Sequence, residues 1–163
     1  MSDFFFPELL TVKALEPYRL STTWNTGEVL EVDVGDILRK HLALNPILEP
    51  EVFARVHRDD WGGIEWFDSE LGTDNVYAWC KEQAGKVSHE MFGKWMHRNG
   101  LSLTTAAQAL GISRRMVSYY RTAQKQIPRQ TWLACLGWET TRPKPNELPL
   151  SLPTVKQYAA LHA

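Results

Sequence analysis

Cysteine is scarce in this sequence. Cys80 and Cys135 are the only two among 163 residues, and they stand far apart and outside any C-x-x-C pattern. This spacing argues against a zinc site. We interpret both as reduced thiols in the core of a cytoplasmic protein, with a disulfide between them as the alternative.

Long hydrophobic runs are also missing. No segment reaches the ~18 consecutive apolar residues that a membrane span requires. The opening segment MSDFFFPELL contains three phenylalanines but no basic region, and its apolar run is too short for a signal peptide. We therefore expect a cytoplasmic protein that has no membrane partner.

The common motifs of enzymes are absent too. The sequence contains no G-x-G-x-x-G, P-loop, H-E-x-x-H or G-x-S-x-G motif. His41 and His57 lack further ligands at matching spacing, which is typical of surface or capping histidines. Acidic residues are frequent between 59 and 74, but without the spacing of a calcium loop they indicate a solvated surface. We expect no enzyme activity, metal or cofactor, and an enzyme with an acidic metal site is the alternative.

What the sequence does contain is a separation of charge. Residues 1–85 hold 16 acidic and 7 basic residues (−9), residues 86–163 hold 3 acidic and 11 basic residues (+8), and the two sum to the net charge of −1. This asymmetry predicts two domains with different partners, of which the basic one binds a polyanion. The alternative is that both halves are solvated surfaces that attract each other.

Residues 1–85 show the patterns of a small acidic α+β domain with an antiparallel sheet. Apolar and polar residues alternate in the predicted strands, which lie at 10–14, 18–24, 30–34 and 62–67. Gly27 suits the turn of a hairpin. Short helices are predicted at 36–44, 50–57 and 73–85, with N-caps at Asp36 and at Thr73 or Asp74. Trp61, Trp66 and Trp79 are interpreted as core residues, with an exposed edge on a partner surface as the alternative.

Residues 86–138 predict an all-α domain of four short helices. Each helix has a start or stop signal: Ser88, Ser102 and Ser113 are candidate N-caps, and Gly100, Gly111 and Gly137 are candidate C-terminal stops. Pro128 suits the first position of the last helix.

The spacing within this half resembles the helix-turn-helix of the lambda-repressor and Cro family, over roughly Ser88–Trp138. The residues that carry the resemblance are Ala107, Gly111, Ile112 and Val117. A small residue lets the two helices cross closely, a glycine permits the turn, and an apolar residue of the second helix packs back on the first. The resemblance implies a DNA-binding domain.

The family pattern implies that residues 113–123 form the recognition helix, whose N-terminal end enters the major groove. The implied outward residues of this helix are Ser113, Arg114, Arg115, Ser118 and Tyr119. Further implied contacts to the phosphate backbone are Arg121, Lys125 and Arg129 after it, and Thr104 and Thr105 before it. Arginine suits such a position because its guanidinium can bond O6 and N7 of a guanine together.

One position departs from the family pattern. Many members have a glutamine at the start of the second helix, where this sequence has Leu103. Leucine cannot bond a phosphate, so one expected contact is missing. The alternatives for Arg114 and Arg115 are a solvated helix face or a contact with the acidic domain.

Residues 139–163 contain four of the nine prolines and predict an extended arm or a linker rather than one helix. The last residues, VKQYAALHA, suit one or two helical turns. An arm that crosses to a second copy would help to build the homodimer that reads two half-sites.

Residues Pro7–Gly85 are similar to a small bacterial α+β domain of unknown function, over segments such as VFARVHRDDWGGIEWF. Single-domain members often lie beside a small candidate toxin gene, and a two-domain form with a repressor-like helix-turn-helix is known. The resemblance implies a transcriptional regulator that binds double-stranded DNA, with a basic protein as a possible partner of the acidic domain. A protein-interaction module of antitoxin type, whose helix-turn-helix does not bind DNA, is the alternative.

Overall fold

The computed structural model describes residues 4–142 and 154–161. The chain divides into two compact units. Phe5–Ser88 forms one unit, and the described residues from His89 onward form the other together with Phe4. Most of the predicted proline-rich arm, residues 143–153 and 162–163, lies outside the described residues.

The first unit begins with a three-stranded antiparallel sheet. Its strands are β1 (Leu9–Leu15), β2 (Arg19–Trp24) and β3 (Val29–Asp33), in that spatial order. Gly27 has a φ of 86°, a left-handed conformation that glycine adopts without strain, so the chain reverses between β2 and β3. The alternation in the sequence predicted these three strands correctly.

Short helices and a second sheet follow. The helices are α1 (Gly35–Lys40), a 3₁₀ helix (Leu42–Leu48), α2 (Pro50–Phe53) and α3 (Thr73–Gln83), and the second sheet consists of β4 (His57–Arg58), β5 (Ile64–Trp66) and β6 (Ser69–Leu71). Of the second sheet, sequence patterns predicted β5 but missed β4 and β6, which are too short for their alternation to stand out.

Two predicted helix caps are wrong. The N-cap of α1 is Val34, and Asp36 lies in the first turn, where its carboxylate faces the positive end of the helix dipole. The N-cap of α3 is Gly72, so Thr73 and Asp74 are helical residues, and no side chain caps either helix. Residues of the cap type therefore mark these helix starts only to within one or two positions.

Aromatic residues fill the core of the first unit. Trp24 is fully buried, its ring meets the edge of Tyr77 at 4.9 Å, and its indole N–H donates to Thr22. Trp66 stacks on Phe53, as the core interpretation requires. Trp61 does not fit that interpretation, because 96% of its surface is exposed.

A buried polar cluster fastens α3 to the β2–β3 hairpin. The ammonium of Lys81 pairs with the carboxylate of Glu28, which also accepts a hydrogen bond of 2.5 Å from the Tyr77 hydroxyl. Burial alone would raise the pKa of Glu28, but the hydrogen bonds from Lys81, Tyr77 and Thr26 outweigh it and hold that pKa below its ordinary value. Gln83 at the end of α3 also exchanges two hydrogen bonds of 2.8 Å with the backbone of Asp33, so the Lys81–Glu28 pair is the charged part of a wider polar contact.

The regular elements among the described residues of the second unit are all helices. They form α4 (His89–Arg98), α5 (Leu103–Leu110), α6 (Arg114–Arg121), α7 (Arg129–Thr141) and α8 (Val155–Leu161). The predicted stop of the fourth helix at Gly137 is wrong, because α7 continues through that glycine to Thr141. Glycine ends a helix where it takes the left-handed conformation, and Gly137 has no positive φ.

The core of the second unit lies between α4, α6 and α7. Phe92 and Trp95 of α4 are completely buried, and Phe92 meets the ring of Tyr120 on α6. The Trp95 indole N–H donates to the carbonyl of Cys135 on α7 over 2.9 Å, and its ring meets that of Trp138. These contacts fix the position of α6 from one side.

Candidate nucleic-acid interface

The connection between α5 and α6 is a tight turn with a cap on each side. Helix α5 ends at Gly111, whose φ is 69°, and the N–H of Ile112 bonds to the carbonyl of Ala107 over 3.1 Å. Two residues later the hydroxyl of Ser113 accepts a hydrogen bond of 3.1 Å from the N–H of Met116 and starts α6. Because these hydrogen bonds fix the backbone of the turn, α5 and α6 hold a defined relative orientation.

Helix α6 is exposed at its first turn, and its second half is largely buried except for Arg121 at its last position. Arg114 and Arg115 are exposed, whereas Val117, Ser118 and Tyr120 are buried. The helix therefore presents its N-terminal end rather than one long side to solvent. This is the end at which unpaired backbone N–H groups and the helix dipole favour an anion.

One predicted outward residue points the other way. Ser118 is only 5% exposed, and its carbonyl accepts a hydrogen bond of 2.9 Å from the hydroxyl of Thr122. The prediction that Ser118 faces outward is therefore wrong. It assumed an isolated helix with one free side, whereas the second half of α6 is buried on several sides.

The exposed surface of and around α6 is basic. Its cations are Arg114, Arg115, Arg121, Lys125 and Arg129, all of them exposed. None of the five forms an ion pair with another described residue, and no acidic residue occurs between Glu90 and Glu139. The positive charge of this surface is therefore not neutralised by neighbouring side chains.

The segment after α6 orients one of these cations. Ala123 adopts a φ of 58°, and the N–H groups of Gln124 and Lys125 both bond to the carbonyl of Tyr119, at 2.9 and 3.3 Å. This turn places the ammonium of Lys125 5.4 Å from the centre of the Tyr119 ring. The half-buried tyrosine thus holds the lysine beside the C-terminal half of α6.

The start of α5 carries polar side chains, of which some cap the helix and others are exposed to solvent. Thr105 forms a reciprocal cap with Ser102, since its hydroxyl accepts from the Ser102 N–H at 2.7 Å and its own N–H donates to Ser102 Oγ at 3.1 Å. Thr104 is exposed, and so is Gln108 one turn later. Gln108 escaped the sequence analysis, although its spacing of four from Thr104 predicts a shared helix face.

Leu103, the position that departs from the family pattern, is half-buried at the first position of α5. A leucine there adds apolar contact and offers no donor to a phosphate. Ser102 and Thr105 use their hydroxyls in the cap, so a polar contact from α5 would come from the exposed side chains of Thr104 and Gln108.

Elsewhere the described residues offer little chemistry. Burial raises the pKa of the Cys80 thiol to about 11 and that of Cys135 to about 12, and both cysteines are free. Within residues 4–142 and 154–161, no three His, Cys, Asp or Glu side chains group closely enough to hold a metal ion. No helix in these ranges is long and apolar enough to cross a bilayer.

Comparisons with known proteins bear on both parts of the chain. Residues 9–82 match a family described as a protein of unknown function (DUF2442), which confirms the resemblance of this part to a domain of unknown function. No curated protein matches the chain. The chain is also similar to a crystal structure of a candidate DNA-binding protein from Nitrosomonas europaea, with 73% identity and a TM-score of 0.85 over 94% of this chain and 100% of that one.

Proposed function

Because this chain belongs to the same family as the Nitrosomonas europaea protein, we propose that it binds double-stranded DNA through a helix-turn-helix formed by α5 and α6. One observation carries the proposal: the N-terminal end of α6 stands exposed, with Arg114 and Arg115 free of acidic partners among the described residues. A recognition helix enters the major groove by this end.

Arg114 and Arg115 read bases in this proposal. A guanidinium that makes no internal salt bridge can turn its fork of donors to O6 and N7 of a guanine. The exposed polar side of α5, with the hydroxyl of Thr104 and the amide of Gln108, faces a phosphate. At Ser113, the backbone N–H groups at the start of α6 would contact a phosphate, because the Ser113 hydroxyl already caps the helix.

The remaining cations supply affinity without sequence information. Arg121, Lys125 and Arg129 are long, exposed and basic, and each phosphate contact releases counterions from DNA. Residues 89–142 contain eight basic and two acidic residues, a balance of +6, so the second unit attracts a polyanion as a whole.

We further propose that the protein is a transcriptional regulator without catalytic activity, in which the DUF2442 domain binds a partner, a ligand or a second copy. The second candidate is a protein-interaction module of antitoxin type that has lost DNA binding. Leu103 favours this second candidate, because it removes a phosphate contact at the start of α5.

The test is fluorescence anisotropy of labelled duplex DNA, taken from the upstream region of the protein's own gene and from random sequence. Wild type is compared with an Arg114→Ala/Arg115→Ala variant. A Lys40→Ala/Arg55→Ala variant is the matched control, since both of these cations are exposed in the first unit and the change in charge is the same.

We expect the R114A/R115A variant to lose its preference for the upstream DNA, since each lost arginine–guanine pair costs about 1–3 kcal/mol. The K40A/R55A control should bind like wild type. Wild-type affinity should fall steeply with salt, with a slope of about 0.9 per phosphate contact. Equal binding by R114A/R115A and wild type would place the interface elsewhere, and no binding at low salt would favour the interaction module.

A further inference from the structure

Helix α7 has one buried and one exposed apolar face. Cys135 and Trp138 are buried in the second unit, whereas Leu133 is 52% and Leu136 38% exposed. Gly137 lies on the same side as these two leucines, because residues three and four apart share a helix face. Two leucines beside a glycine therefore form an apolar strip, Leu133–Gly137, that the described chain leaves in contact with solvent.

The glycine in this strip has no use within its own chain. Gly137 sits inside α7, where glycine is among the least favourable residues, and it has no left-handed φ that would require it. A Cβ added at Gly137 would meet nothing within 4 Å. An alanine would fit and would favour the helix, whereas a second helix packed closely against this face needs the small residue.

The absence of charge on the strip indicates which kind of partner it can bind. The exposed positions of α7 between Gln130 and Thr140 carry no charge, and the one acid in this stretch, Glu139, is bound by Arg98 over 2.6 Å. Arg129, one turn before Leu133, is the cation that flanks the strip. The second unit as a whole is basic, so two copies repel each other over most of its surface. An uncharged face is where that repulsion is weakest, and it offers nothing to an acidic or basic partner.

We infer that the Leu133–Gly137 strip is a homodimer interface, in which α7 packs antiparallel against α7 of a second copy. A two-fold axis midway between the two residues sets Leu133 of each copy over Gly137 of the other. The side chain missing at one position is thus replaced by the leucine of the neighbour. Leu136 packs beside this contact and completes the apolar core of the interface.

A single helix pair buries less than the roughly 1,200–2,000 Å² of standard complexes, so we expect a dimer that dissociates in the micromolar range. The dimer itself does not depend on DNA. Its use rests on the proposed function: two copies present two α6 helices, which suits DNA with two half-sites. Binding such DNA stabilises the weak dimer by mass action.

Analytical ultracentrifugation of the full chain without DNA, from about 1 to 200 µM, tests the interface. We expect wild type to dimerise and Leu133→Glu to stay monomeric, with at least a roughly tenfold weaker association. Leu42→Glu is the matched control, because Leu42 is 86% exposed in the first unit, and it should dimerise like wild type.

The Gly137→Leu variant tests the interface by a change that should leave the protein folded. Because space at Gly137 is open, this variant keeps its circular dichroism and its melting temperature while the added side chain blocks close approach. A wild type that is monomeric throughout, or L133E and G137L variants that dimerise like wild type, would overturn the inference. DNA binding is measured separately: dimerisation lost in L133E together with no DNA binding by wild type would keep the interface and refute the proposed function.

Discussion

Replacing Lys81 by methionine tests whether the buried cluster with Glu28 anchors α3 to the hairpin. The Lys81 side chain is 5% exposed and that of Glu28 is 20% exposed, so the pair is largely removed from water. Methionine keeps the apolar stem but removes the ammonium, and it leaves Glu28 with the hydroxyl donors of Tyr77 and Thr26. The variant therefore leaves a part-buried carboxylate without its cation.

Breaking a fully buried ion pair from one side costs about 3–5 kcal/mol. Because Glu28 keeps some contact with water and two hydroxyl donors, we expect a smaller loss of about 2–3 kcal/mol in the free energy of unfolding. Lys13→Met is the matched control, since Lys13 is exposed on β1 and forms no ion pair with another described residue. Its effect should stay within about 0.5 kcal/mol.

The assay is urea denaturation followed by circular dichroism and tryptophan fluorescence, repeated from pH 7 to acidic pH. The pKa of Glu28 is lowered in the folded protein, so its ionised form contributes stability that is present above the unfolded pKa and lost as pH falls through the folded pKa. The gap between wild type and K81M should therefore narrow below about pH 4. A K81M variant as stable as K13M at pH 7, or a gap that does not change with pH, would refute the role of the cluster.

Two further predictions concern backbone and thiols. Gly111→Ala should lower the free energy of unfolding by about 1 kcal/mol, because the φ of Gly111 is 69°. Gly137→Ala should raise it by up to about 1 kcal/mol, because Gly137 lies inside a helix; thermal melts compare the two variants. An added Cβ meets no atom within 4 Å at either position, so equal effects would contradict the backbone argument. Cys80 and Cys135, with pKa values raised to about 11 and about 12 by burial, should react with a disulfide reagent at pH 8 only after denaturation, and fast reaction of the native protein would contradict their burial.

Local sequence patterns predicted the elements whose signals are local. Alternation over five to seven residues and a hairpin glycine predicted β1, β2 and β3. Serines before both helices and a glycine after α5 predicted α5 and α6, and the caps at Ser102, Gly111 and Ser113 lie where the sequence placed them. These signals act within a few residues, so no knowledge of the remaining chain is needed.

Predictions that required a side chain's surroundings were less successful. Trp61 was assigned to the core but lies exposed in a turn, where the Asp59 carboxylate accepts hydrogen bonds from the N–H groups of Trp61 and Gly63. Gly137 was assigned as a helix stop, yet the helix continues because Trp138 packs in the core beyond it. Residue type indicates a tendency, and packing over the whole unit decides the outcome.

The sequence by itself determined the charge separation, most helices and strands and the residue types available for DNA, since these depend on composition and short-range periodicity. Tertiary structure alone decided which faces meet solvent. Ser118 is a polar residue of α6 and Leu133 an apolar residue of α7, yet Ser118 is buried in the second unit and Leu133 is exposed. Exposure depends on which neighbours cover a helix, and residues distant in sequence supply those neighbours.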